Sequence, residues 1–521
     1  MVEKISYKIN NKKVKLKYNY IPFRYFFTSI VTVLEGLLAL FLMGYLCYKI
    51  PYVLILIFGL HVGCVIKLIS SDDNPDYKLP WLFFVLILPV VGAFLYIILY
   101  SRHLKKKFIR KLEYFHNNSF DFDDEKIIKK LEEENPIAAS QAKLLCNTAV
   151  THLYNNTKQT YFDSGEEVFK SMAKDLKDAK DFIYVEYFII KCGVFWGTIL
   201  EILREKVAQG LDVKVIYDDI GCMKTLPGDY YKILNKMGID ATTFSRLHGH
   251  VDNEVNNRNH RKIMIIDGKI AYTGGLNIAD EYINKKQRFG HWKDNGIRLE
   301  GQAVWEFTKL FWTDFGINVK TVLPIPKNLY PKSEEYENQG YIVPFGDGPA
   351  PIYQRGVSKA LIQSMLANAT KYAYITTPYL IIDNDTCQSI EDAALRGVDI
   401  KIIVPHIPDK KVIFQMSRSY YYRLMKAGVK ICEYEIGFVH AKTYLVDDKI
   451  AMLGTVNLDY RSLVHHFENA VWLYDSPCIL DIKKDVEKTL EKCIYVEKSS
   501  IKLSPIKRLI RAILRLFAPL M

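Results

Sequence analysis

The nine cysteines of this chain (47, 64, 146, 192, 222, 387, 432, 478 and 493) include no CxxC pair, and no histidines cluster at zinc-ligand spacing. Scattered thiols argue against a disulfide framework and a structural metal, and fit reduced cysteines in a cytosol-facing protein. There is no GxxxxGK loop, so the phosphate cradle of a nucleotide-driven enzyme is missing. No small-residue cleavage site follows the first apolar stretch, and signal h-regions run only ~7–15 residues, so the N-terminal apolar segments read as retained.

What is present is 521 residues, enough for several domains of ~100–200 residues each. Hydrophobic residues make up 49% and charged residues 25%, an average that hides a concentration of apolar residues near the N-terminus. Residues 26–48, 52–69 and 79–100 each approach the ~20 residues that cross a bilayer as a helix, so 1–111 is expected to be a multi-pass membrane region. Lys4, Lys8, Lys12, Lys13, Lys15, Lys17 and Arg24 precede it; Arg102, Lys105, Lys106, Lys107, Arg110 and Lys111 follow it. The positive-inside rule places both flanks, and the catalytic region, in the cytoplasm, which requires an even number of crossings. Either one of the first two stretches dips in and returns or the rule is broken here, and the second stretch, the shortest and the bearer of His61 and Lys67, is the better suspect. Net charge is +12, with 35 Tyr and 27 Phe. That balance points to an anionic partner, nucleic acid or acidic bilayer, without choosing between them.

Beyond residue 111 the informative feature is a repeat. NHRKIMIIDGKIAYTGGLN places His260, Lys262, Asp267, Gly274, Gly275 and Asn277; VHAKTYLVDDKIAMLGTVN places His440, Lys442, Asp447, Gly454, Thr455 and Asn457. Both read HxKxxxxDxxxxxxGxxN. KDFIYVEYFII and KYAYITTPYLII precede the two copies, each followed by a helical stretch and a second strand. This alternation predicts parallel βαβ units in two homologous α/β lobes, 112–331 and 332–496. Each motif reads as a hairpin with a turn at Asp267-Gly268 or Asp447-Asp448. His and Lys at i and i+2 share one face of the first strand, and the small residues before Asn277 and Asn457 allow an anion to approach closely.

Paired imidazoles, ammoniums and amides suit phosphodiester exchange without a metal or other cofactor. One neutral imidazole attacks phosphorus and the other, protonated, gives its proton to the departing alkoxide. Lys262, Lys442, Asn277 and Asn457, with the Gly275 and Thr455 positions, would surround the non-bridging oxygens. Asp267 and Asp447, at the turns, are expected to support the hairpins from outside that pocket.

The two segments resemble the HKD signature of the phospholipase D superfamily. EYFII, YDDIG, HWKDNGIRLEGQAVW, TTPYLI, FVHAKTYLVDD, GTVNLDYRS and the N-terminal DNPDYKLPWLFFVLILPVVGAFLYIIL are similar to stretches of bacterial cardiolipin synthases. The resemblance implies an integral-membrane phosphatidyltransferase that joins two phosphatidylglycerols on anionic membrane lipid. It implies that His260 and His440 are nucleophile and acid/base in an order the sequence leaves open, that Lys262 and Lys442 bind phosphate, and that Asp267 and Asp447 complete the motifs. It also implies a carboxylate after each histidine, Asp294 and Glu468, bonded to the other ring nitrogen and raising the imidazole pKa. One departure is Gly274-Gly275, where many members have Gly-Ser; backbone N–H groups are expected to compensate. Hydrolysis, transfer to another alcohol such as ethanolamine or serine, a nuclease and a non-enzymatic scaffold are the competing readings; the membrane stretches argue against nucleic acid, and the intact motifs against a scaffold. Oligomeric state is not legible. Residues 497–521 read as a basic amphipathic tail, an interfacial helix or alternatively one docked on the protein core: Ser504 as N-cap, Ile506, Leu509, Ile510, Ile513, Leu514 and Phe517 on one side, Lys507, Arg508, Arg511 and Arg515 on the other.

Overall fold

The computed structural model describes residues 4–9, 12–17, most of 30–100, 106–117, 122–246, 256–319, 325–326, 329–330, 336–350, 353, 356–501 and 505–520. The 26–29 start of the first apolar stretch, Glu35 and the Ser504 cap lie outside them.

Two sheets carry the catalytic region. The first contains β1 (Lys158–Phe162), β2 (Phe182–Tyr187), β3 (Asp212–Asp218), β4 (Asp240–Phe244), β5 (Lys262–Ile266), β6 (Ile270–Gly274) and β7 (Gly296–Glu300), in the spatial order 1-7-6-5-2-3-4. The second contains β8 (Tyr341–Asp347), β9 (Tyr372–Thr376), β10 (Asp399–Pro405), β11 (Lys430–Tyr434), β12 (Thr443–Val446), β13 (Ile450–Gly454), β14 (Glu468–Tyr474) and an added edge, β15 (Cys493–Tyr495), in the order 8-14-13-12-9-10-11-15. Subtracting seven turns one order into the other, so the sequence repeat is a repeat of topology. The expected parallel βαβ units form only half of each sheet: β2-β3-β4 and β9-β10-β11 are parallel, whereas the motif hairpins and their neighbours are antiparallel.

Period-2 burial explains why the hairpins sit between layers. Ile263 and Ile265 of β5 face a core shared with Leu445 of β12, Leu453 of β13 and Val471 of β14, while Met264 and Ile266 face the first lobe's own helices. Truncating a residue of that shared core to alanine costs about 2–5 kcal/mol, so the lobes form one packed unit. Two helices, Glu125–Glu134 and Pro136–Ala149, precede β1 and by sequence order go with the first lobe. Their Leu131, Ala138, Ala142 and Leu145 instead pack with Val357, Leu361 and Met365 of the second.

The membrane region departs from expectation in an instructive way. Helix α1 (Tyr52–Ser70) is continuous for 19 residues, about 28 Å of rise, and among the described residues it alone is long and apolar enough to cross a bilayer. The residues described between 30 and 49 are helical. The third stretch is no single helix: α2 (Pro75–Ile87) breaks at Leu88, and α3 (Pro89–Leu95) runs back along it into a π-turn over 96–100. Tyr77 meets Tyr100 at 5.4 Å, Trp81 meets Tyr96 at 6.2 Å, and a Cβ on Gly92 would lie 2.2 Å from the Phe84 carbonyl oxygen. These pairings define an antiparallel helical hairpin. The fold-back expected of 52–69 is thus absent from that stretch, which is one continuous helix, and the chain doubles back within 79–100 instead.

The hairpin is fastened to the second lobe by polar groups. Asn74 Nδ2 donates to Asp383 at 2.8 Å, Asp76 accepts from the Asn384 N–H at 2.6 Å and from the Tyr460 hydroxyl at 3.3 Å, and Tyr77 packs 5.3 Å from the His465 ring. The C-terminal helix α4 (Pro505–Leu516) also docks: Arg511 reaches Gln415, Arg515 lies over Tyr420 at 4.7 Å, and Phe517 meets Phe84 of the hairpin at 5.4 Å. Its Ile506 and Leu509 remain 72% and 62% exposed. The tail is thus both a docked helix and one that presents apolar side chains outward beside the hairpin.

Candidate active site

The asparagine, histidine and lysine of each motif lie where the lobes meet. His260 N donates to the Phe467 carbonyl at 2.8 Å and His440 N to the Lys293 carbonyl at 2.7 Å, so each motif strand is started by backbone of the other lobe. A carboxylate arrives with that backbone. Glu468 accepts from His260 Nδ1 at 2.8 Å, and Asp294 accepts from His440 Nδ1 at 2.9 Å. The pairing is crosswise, which corrects the expectation that each carboxylate serves the histidine it follows. With Nδ1–H committed, each ring keeps a bare Nε2.

The expected rise in imidazole pKa is also overridden. Burial, reinforced by Lys262 and only partly opposed by Glu468, brings His260 down to about 3. Burial and the Lys442 charge, against Asp294, bring His440 down to about 4. Burial would raise both carboxyls, but the histidines and their hydrogen bonds hold Glu468 and Asp294 below the usual range. Two neutral imidazoles with two buried carboxylates are the resting state at neutral pH. Each lysine folds back on its own motif: Lys262 Nζ donates to the His260 carbonyl at 2.7 Å, and Lys442 Nζ donates to that of His440 while lying 2.9 Å from His440 Nδ1. Burial lowers Lys262 to about 7 and Lys442 to about 8.

Asp267 accepts from the N–H groups of Lys180, Asp181 and Phe182 at 2.8–3.0 Å, and Asp447 from those of Thr370, Lys371 and Tyr372 at 2.7–2.8 Å. Each ties its hairpin turn, where 267-268 and 447-448 all have positive φ, to the entry of the neighbouring strand, away from the histidines. Asn277 is engaged with the Ile189 N–H at 3.0 Å and the Tyr282 hydroxyl at 2.7 Å, whereas Asn457 Oδ1 is buried without a partner.

Two of the phosphate-binding expectations fail for lack of a free donor. The Gly275 N–H already donates to the Asn295 carbonyl at 3.2 Å, so it does not compensate for a missing hydroxyl. The Thr455 hydroxyl is fully buried and donates to Glu468, supporting the carboxylate behind His260. The reason for glycine in the first half is steric: a Cβ at 275 would lie 2.1 Å from Asp294 Oδ1 and 2.7 Å from the His440 carbonyl oxygen.

The structure adds residues the motif spacing did not single out. Trp292-Lys293-Asp294-Asn295 and His466-Phe467-Glu468-Asn469 occupy equivalent places, so Trp292 lies 5.5 Å from the His440 ring and His466 lies 5.4 Å from the His260 ring. Aligning the two carboxylate segments by their Asn would have found both. Behind His260, Arg261 pairs with Asp314 at 2.6 Å and Asn259 donates to Glu186 at 2.5 Å. Glu186 is pushed well above its usual range by burial and then by the Asp314 charge. No periodicity exposes that network, because its members come from three separate elements.

Two histidine–carboxylate pairs facing each other across a duplicated sheet define a phospholipase D-like protein. Residues 172–313 and 362–494 match the family model described as "Cardiolipin synthase, PLD-like domain", and 59–99 match "Phospholipase_D-nuclease N-terminal". The chain belongs to the cardiolipin synthase family. It is 33% identical over 470 residues to cardiolipin synthase 2 of Bacillus anthracis, covering 88% of this chain and 89% of that one. It is 32% identical over 446 residues to cardiolipin synthase of Halalkalibacterium halodurans, covering 84% and 87%. An uncharacterized protein of Streptococcus mutans is 40% identical over 469 residues, 88% of this chain and 100% of that one. Among solved structures, phosphatidylserine synthase of Haemophilus influenzae shares the fold with a TM-score of 0.57 at 16% identity, covering 73% of this chain and 100% of that chain.

Proposed function

We propose that this protein joins two phosphatidylglycerol molecules into cardiolipin and glycerol through a phosphatidyl-histidine. The observation that carries the reading is the crosswise pairing, which leaves two bare Nε2 atoms in one interlobe site within a chain of this family. His260 Nε2 attacks phosphorus; the bond from phosphorus to the headgroup glycerol oxygen breaks, and His440 protonates that oxygen. His440 then takes the proton of a primary hydroxyl on the second phosphatidylglycerol. That oxygen attacks phosphorus, the P–N bond breaks and His260 is regenerated. One phosphodiester replaces another, so no nucleotide is consumed. Burial keeps His440 neutral in the free protein, and the incoming phosphodiester anion supplies the negative charge that favours its protonation. Lys262, Lys442 and the Asn457 amide hold the non-bridging oxygens.

A membrane arrangement accompanies this reading. The helical residues between 30 and 49 and helix α1 cross the bilayer, the α2–α3 hairpin is re-entrant, and both basic flanks and the catalytic lobes stay on the cytoplasmic side. The hairpin touches Tyr460 and His465, which lie between Asn457 and Glu468, so lipid reaches the site along it. The exposed Ile506 and Leu509 enter the same anionic surface.

The test is protein in mixed micelles with labelled phosphatidylglycerol and no nucleotide. Cardiolipin and glycerol in equal amounts are expected; phosphatidic acid without cardiolipin marks a hydrolase and defeats the reading. The lysines add a pH dependence. Their folded pKa values are depressed, so the ammonium form is lost as pH rises through about 7 for Lys262 and about 8 for Lys442. Expected is a KM for phosphatidylglycerol that climbs, and a kcat/KM that falls, above that range. A profile flat until the ordinary lysine range near ~10.4 would remove the lysines from phosphate binding.

A further inference from the structure

His466 is unused by the mechanism and is poorly explained as packing. Its ring is only 8% exposed and lies beside His260, yet Nδ1 makes no hydrogen bond; the nearest carboxylate oxygen, Glu468 Oε1, is 3.6 Å away. One ligand atom from each of His260, His466 and Glu468 lies within 4.8 Å of the others, and all three residues are buried. Two imidazoles and a carboxylate are the donor set of three-ligand zinc sites, whose bonds of about 2.0–2.2 Å leave a fourth position open. Tetrahedral geometry at those lengths sets ligand atoms roughly 3.4 Å apart, between the 2.8 Å and 3.6 Å at which Glu468 meets the two rings.

We propose that His260, His466 and Glu468 form an inhibitory site for a divalent transition-metal ion of the zinc class. The ion takes the place of the Nδ1–H bond to Glu468, and the single ring proton of His260 moves to Nε2. No net proton leaves the ring. The Nε2 lone pair that would attack phosphorus is then occupied by hydrogen, so a loaded site is an idle one. This consequence rests on His260 acting as proposed above; the binding itself does not. Trp292, which supplies no ligand, fills the equivalent place beside His440, so the site is not repeated in the other half of the catalytic centre. The Lys262 and Lys442 ammoniums oppose a dication, which makes the site reversible rather than a resident cofactor site.

The test uses the full chain in detergent, stripped with a chelator and titrated with Co2+ alone. One equivalent should give the visible absorption of tetrahedral cobalt, Zn2+ should displace it, and phosphatidyl transfer should fall in step with occupancy. His466→Phe, which keeps a ring, and His466→Gln, which guards against a packing defect, should each weaken the Co2+ signal by at least roughly 100-fold, the upper end of what losing a supporting contact costs. No Co2+ binding by the wild type, or an unchanged signal in both variants, overturns the site. Binding with undiminished transfer overturns its inhibitory role and, with it, the assignment of His260, while the transfer assay on metal-free protein independently tests the proposed reaction.

Discussion

His260→Ala and His440→Ala are each expected to lower kcat for phosphatidyl transfer by roughly 10⁴-fold or more, because one removes the atom that bonds phosphorus and the other the proton carrier for both half-reactions. The two losses are distinguishable. An alcohol leaving group such as glycerol needs a proton to depart, whereas a nitrophenolate does not. With a nitrophenyl phosphodiester donor, His440→Ala should therefore still release one equivalent of nitrophenol in a burst and stall as the phosphohistidine. His260→Ala should show no burst. The reverse pattern would exchange the roles of the two histidines, and turnover persisting in both variants would remove the covalent route. Either alanine also strands a buried carboxylate, so melting temperature belongs beside the rates.

The second large effect follows from the crosswise pairing. Glu468→Gln and Asp294→Asn keep the shape of each carboxyl but remove the charge that fixes Nδ1–H, permitting the wrong tautomer. Replacing the buried carboxylate of a serine-protease triad in this way costs about 10⁴-fold, and roughly 10²–10⁴-fold is expected here. With the activated donor, Asn at 294 should behave like the His440 variant and retain a burst, and Gln at 468 like the His260 variant and lose it. The partners are 146 and 208 residues apart in sequence. If each carboxylate served its own lobe, the two phenotypes would be interchanged, which is the outcome that would refute the geometry.

The same contrast separates what could be read in the chain from what could not. HxKxxxxDxxxxxxGxxN occurs twice because both hairpins need a histidine and lysine on one strand face, an acceptor at the turn and a small residue where the return strand passes a carbonyl. Gly274 and Gly454 both have φ of 158 and would meet backbone at 2.4 Å with any Cβ. Those demands are local, and alternation of side chains along a strand carries them into the sequence. Asp267 and Asp447 were legible for the same reason, since a turn acceptor binds the strand next to it.

The failures concern groups whose partners are chosen by packing and not by the spacing of the motif. Thr455 looked like a phosphate ligand from its place in the motif, but its hydroxyl is taken by Glu468. Apolarity alone made 79–100 resemble a crossing. Only the break at Leu88 and the fit of Trp81 against Tyr96 make it a hairpin.

By itself, then, the sequence determined the duplication, the chemistry-bearing residues, the apolar N-terminal region and the family, because each is written in spacing over a few residues or in composition. The tertiary structure decided which carboxylate orients which histidine, that burial leaves both imidazoles neutral, that helices before the first lobe pack on the second, and that His466 stands beside His260. The contacts of the two histidines depend on how the two sheets share one core and the helix packing on a second core, and a pairing between lobes leaves no periodicity in either strand.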